Sequence, residues 1–100
     1  MANDPQQPSV TIACQVALGM FRDERGVEIQ LPEGKIAALV DKNDVQVAHD
    51  PEPGQVVPGR LRVSVVEEGH DEVLVDLPRP SFSAGQRLRV PRRLLEGIPA

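Results

Sequence analysis

Cys14, His49 and His70 are the side chains of this 100-residue chain with the widest chemistry. A thiolate attacks carbon and binds soft metals; an imidazole moves protons or ligates metal near neutral pH. Each histidine has acids beside it, in His49-Asp50-Pro51-Glu52 and Gly69-His70-Asp71-Glu72. No CxxC, HxxxH or HExxH spacing brings two donors onto one turn of backbone, so a zinc site would have to gather its ligands from separate elements. Asp41-Lys42-Asn43 begins like a calcium loop, and Glu52 stands at the twelfth position. Val45 and Gln46, however, hold the fifth and sixth positions, where a ligand and a bend-making glycine are required. Ser9, Ser64, Ser81 and Ser83 lie outside any G-x-S-x-G turn, and the glycines are scattered rather than gathered into a phosphate cradle. No catalytic residue, metal or cofactor is expected, and the chain reads as non-enzymatic.

Arginine is the chemistry-bearing residue that clusters. Arg60 and Arg62 alternate with Leu61 and Val63, Arg87 and Arg89 alternate with Leu88 and Val90, and Arg92 and Arg93 follow. Were these stretches neighbouring strands, their outward guanidinium groups would form a ridge suited to phosphate or carboxylate. Two facts weigh against nucleic acid. The net charge is −4, and without Trp or Tyr there are few platforms for stacking bases. The same lack opposes a groove for proline-rich peptides. The plainer expectation is that these arginines pair across the sheet with Glu28, Glu72 or Asp76, or guard a strand edge.

What must position these residues is a set of strands. Val10, Ile12, Cys14, Val16, Leu18 and Met20 alternate with Thr11, Ala13, Gln15, Ala17 and Gly19, the period of a half-buried strand. That register puts Cys14 on the apolar face, where burial silences a thiol. Arg22 to Gly26 reads as a charged turn with Gly26 in the left-handed position. Val27-Ile29-Leu31, Ile36-Ala38-Val40 and Val45-Val47 follow as strands, with a tight or single-turn helical connection at Asp41-Lys42-Asn43-Asp44. His49 to Gly59 holds three prolines and two glycines and is a connector. Leu61-Val63-Val65, Val73-Val75-Leu77 and Leu88-Val90 repeat the pattern, and Pro91 to Glu96 reads as a terminal helical turn stopped by Gly97.

Ten prolines and eight glycines leave no room for long helices. The expected fold is all-β: a small antiparallel barrel or sandwich of six to seven short strands with one short C-terminal helical turn. The halves can be laid over one another, Val27–Pro32 on Val73–Pro78, Cys14, Val16 and Leu18 on Leu61, Val63 and Val65, and Leu39–Val45 on Arg89–Leu95. The domain then spans 10–97, with half-repeats 10–48 and 59–97 joined by a connector at 49–58. A pseudo-twofold axis would relate the two three-stranded units, neither of which can hide its apolar face alone. Residues 1–9 and 98–100 read as tails.

A domain this small buries a modest share of its surface, so its core gains from an additional interface. Apolar residues on the outward register, Ala13, Ala17, Leu39, Val66 and Leu74, offer one, with Leu39, Val66 and Leu74 the principal candidates. The expected function is therefore protein–protein contact, including self-association. Binding of nucleic acid or an anionic ligand through Arg60, Arg62, Arg87, Arg89, Arg92 and Arg93 is the alternative. A lone cysteine, no secretory leader pattern and no run of 18 apolar residues suggest the cytoplasm and no membrane.

Overall fold

Two-residue alternation governs the backbone from Val10 onward. A computed structural model of the chain describes residues 9–98 and contains eight strands. They are β1 (Val10–Leu18), β2 (Glu24–Leu31), β3 (Gly34–Asp41), β4 (Val45–Val47), β5 (Val57–Glu68), β6 (Glu72–Ser81), β7 (Gly85–Pro91) and β8 (Leu95–Glu96). Short 3-10 turns at Lys42–Asp44 and Arg92–Leu94 are the only helical elements among the described residues. Strands β1, β2, β3, β6 and β5 pair in that order and back to β1, closing an antiparallel barrel; β4 adds to β5, β8 to β1 and β7 to β6. The expected all-β barrel is present. Its eighth strand is the two-residue β8, which follows the terminal turn.

The inward face of the long strands is aliphatic apart from Cys14 on β1 and Arg25 on β2. Ile12, Val16, Leu61, Val73, Val75 and Val90 have no exposed surface, and Ile29, Val40 and Leu77 almost none. Each such side chain removes apolar area worth about 1.5–3 kcal/mol from water. Neither phenylalanine joins this core: Phe21 is 73% exposed and Phe82 71%.

Local departures from the sequence pattern have identifiable causes. Gly26 is not the left-handed residue of the first turn; it lies within β2, paired with Ala17 and Leu39. The chain reverses earlier because Glu24 closes the turn itself. Its carboxylate accepts from the Met20 N–H at 2.8 Å, its carbonyl accepts from the Gly19 N–H, and its own N–H donates to the Phe21 carbonyl. Ile98, read from the sequence as part of a tail, packs against the core. Residues 1–8 and 99–100 of the expected tails lie outside the described residues.

Several strand pairings of the first half have counterparts in the second, although the β3–β6 pairing has none. Ile12 faces Leu61, with Val10 opposite Val63 on one side and Cys14 opposite Gly59 on the other. Val16 pairs with Val27 as Val65 pairs with Val75, and Arg25 with Val40 as Val73 with Val90. Lys42 donates to the Asp23 carbonyl as Arg92 donates to that of Asp71. Leu39–Val45 and Arg89–Leu95 therefore stand in matching positions. Elsewhere the expected superposition slips by two residues: Val16 matches Val65 instead of Val63, and Val27 matches Val75 instead of Val73. A slip of two keeps every side chain on its face, so alternation alone cannot detect it.

Candidate functional site

Cys14 points into the barrel and is 7% exposed. Burial pushes its thiol up to about 11, with the nearby Arg60 charge opposing in part, so at neutral pH it is a protonated core filler. His49 and His70 are exposed, and the nearest acid to His70 is Asp71 at 3.9 Å. Among the described residues no group of three His, Cys, Asp or Glu side chains converges, and no helix is long and apolar enough to cross a membrane.

The arginines separate into those with partners and those without. Arg60 is half-buried and fastens the chain end to the barrel. Its Nε donates to Thr11 Oγ1 at 2.8 Å, its Nη2 to the Thr11 and Leu94 carbonyls at 3.0 Å, and its Nη1 lies 3.5 Å from Glu96. Arg87 grips Asp76 with two hydrogen bonds, at 2.8 and 3.1 Å, which hold that carboxyl below its ordinary range. Arg92 donates to Glu68 at 2.9 Å and to the Gly69 carbonyl. Arg62, Arg89 and Arg93 are exposed and make no side-chain hydrogen bond among the described residues. The condition for a single ridge is not met, because β6, carrying Asp76, lies between β5 and β7.

The outward apolar residues fall into three places. Ala17, Gly26 and Leu39 form one row across β1, β2 and β3. With Ala37, and with Val56 and Phe82 as walls, they line an apolar notch of about 230 Å³. Val56 is 60% exposed, and the Phe82 N–H is bonded to the Ala37 carbonyl at 2.9 Å, which anchors the loop carrying the ring. Gly26 leaves the floor of the notch open: a Cβ there would meet nothing closer than Leu39 Cδ2 at 3.9 Å. Leu74 sits on β6 opposite Arg89 and Glu67, beside Val66, which the β5 irregularity leaves without a partner in β6. Ala13 lines a wider and more polar groove of about 830 Å³, with Gln15, Gln30 and Gln46.

Sequence reasoning missed Val56 and Phe82 because both lie in segments without periodicity. The available signal was that large apolar residues stood where only turn chemistry was needed. It also missed Arg25, which lies on the core register of β2 at 5% exposure. Its Nη1 donates to the Arg22 and Glu24 carbonyls at 2.9 Å and its Nη2 lies 3.5 Å from Asp50, while its Nε has no partner. That guanidinium ties the connector, with buried Pro51, to the barrel. Set against known proteins, the chain matches no family model, no curated protein and no solved structure.

Proposed function

We propose that this chain is a non-enzymatic contact module that pairs with a second copy of itself through the notch of Ala17, Gly26 and Leu39. The observation that carries this reading is the notch itself: an exposed apolar hollow with a protruding phenylalanine at its rim. A twofold interface needs one surface to offer both knob and hole, and Phe82 beside a floor of glycine and alanine does so. The charge supports it too. Apart from Glu28 at one edge, the lining is uncharged, so two copies meet without repulsion. An exposed apolar patch of this kind usually marks a contact. The matching row of the second half carries Arg89 and Glu67 beside Leu74 and forms no such uncharged hollow.

Sedimentation equilibrium of the purified chain tests the reading. A monomer–dimer equilibrium at micromolar concentration is expected, abolished by Phe82→Glu and by filling the notch with Gly26→Leu, both with the fold retained by circular dichroism. A wild-type chain that stays monomeric at high micromolar concentration overturns it. The arginine alternative rests on Arg62, Arg89 and Arg93 alone and predicts steeply salt-dependent binding to mixed-sequence RNA. Two further proposals accompany the main one. The shared pairing plan supports origin of the halves by duplication, and the lone buried thiol supports a reducing, cytoplasmic setting.

A further inference from the structure

We propose that the outer edge of β7 accepts an extended acidic peptide as an added strand, filling a seam that the fold leaves open. The seam is recognisable because its counterpart is closed. On one side of the barrel β6 runs on to Ser81, which pairs with Ala38 of β3, and the Phe82 N–H bonds to the Ala37 carbonyl. The matching junction would join β7 to the end of β2. There β2 stops at Leu31, opposite Gly34, so its hairpin with β3 turns on Pro32 and Glu33 alone and falls short. The β6–β7 hairpin is longer, closing at Ser81 and Gly85 after a break in register.

What remains is a groove of about 350 Å³ between Leu31, Gly34 and Ile36 on one wall and Leu88 on the other. β7 pairs only with β6, so the alternate N–H and C=O groups on its far edge have no strand partner among the described residues. Its inner face is nonetheless packed, with Leu88 and Val90 buried, so the edge is held in place as a template. The rim selects the occupant by charge. Lys35, Arg87 and Arg89 line the groove with the acid Glu33; Arg87 is already bonded to Asp76 and Lys35 lies 3.8 Å from Glu28, so Arg89, which makes no ion pair among the described residues, is the cation open to an occupant. A second copy is a poor occupant, because pairing β7 with itself would set Arg87 and Arg89 of both copies against one another. An acidic strand meets both the hydrogen-bond and the charge requirement.

The test uses the isotope-labelled chain and a synthetic peptide of about eight residues alternating Val and Glu, long enough to form one strand. Saturable binding is expected, with amide shifts and slowed exchange confined to β7 and the β2–β3 turn. The double substitution Lys35→Glu with Arg89→Glu should weaken binding about tenfold or more and favour the matching Val/Lys peptide. A peptide N-methylated at alternate residues, which keeps the charge but loses the donors, should not bind. The proposal is overturned if the β7 amides do not move, if the N-methylated peptide binds equally well, or if mixed-sequence RNA displaces the peptide from the same amides.

Discussion

Each half of this barrel ends in a hairpin that reaches for the other half, and only one arrives. β6 extends to Ser81 and meets β3 at Ala38, whereas β2 stops at Leu31 and leaves β7 with a bare edge. The outer faces differ in the same sense. The row Ala17-Gly26-Leu39 of the first half is uncharged and hollow, and the corresponding row of the second carries Glu67, Leu74 and Arg89. The comparison teaches that one pairing plan can present two unlike surfaces when turn length and a few outward side chains change. Inward positions are held by the core and diverge less, Arg25 against Val73 being the exception.

The largest expected effect lies where the halves are most alike. Ile12 and Leu61 face each other within the β1–β5 pairing, and both are fully buried. Ile12→Ala and Leu61→Ala should each lower unfolding stability by about 2–5 kcal/mol in denaturant titration, by similar amounts. A large inequality between them would break the equivalence.

A smaller effect is expected where the halves part. Gly59 and Val10 hold matching positions, but β4 reaches Val47 opposite Gly59 while β8 stops at Glu96 opposite Thr11. A Cβ at Gly59 would stand 2.8 Å from the Gln46 carbonyl oxygen and from methyl groups of Val16 and Val47. Gly59→Ala should therefore cost about 1–3 kcal/mol by chemical denaturation, although its counterpart already carries a valine. Full tolerance of the alanine would mean that β4 does not lie as close as described.

The smallest effect concerns the Asp76–Arg87 pair. Its hydrogen bonds and charge hold the Asp76 carboxyl below the ordinary value. A carboxyl depressed on folding adds stability that is present above its unfolded pKa and is lost as pH falls through the folded value. The pair is open to solvent, so the contribution is slight. Carboxyl-carbon NMR titration should find the Asp76 midpoint below that of an unpaired aspartate, and Arg87→Gln should raise it. A midpoint that Arg87→Gln leaves in place would remove the pairing as its cause.

Much of this architecture could be read in the residues. Strict alternation from Val10 identified β1 and set Cys14 among Ile12 and Val16 in the core, because a strand with one wet face has no other register available. The terminal turn after Pro91 was legible from proline at its start and Gly97 beyond it. What escaped notice was set by contacts distant in sequence. Gly26 carried the signal of a turn, but Glu24 had already closed it, and the strand absorbed both Gly26 and Arg25. The arginine ridge depended on strand order, which alternation does not encode, and β6 came between. Phe82 sat in a loop whose anchoring on Ala37 no local pattern announces.

Residue-resolved amide hydrogen exchange reads the contrast between the two seams most directly. The Phe82 amide, bonded across the closed junction, should exchange markedly more slowly than the amides on the far edge of β7, although both lie at strand margins. Equal protection at the two places would mean that β7 already has a partner on that side, and the open seam on which the peptide site depends would be gone.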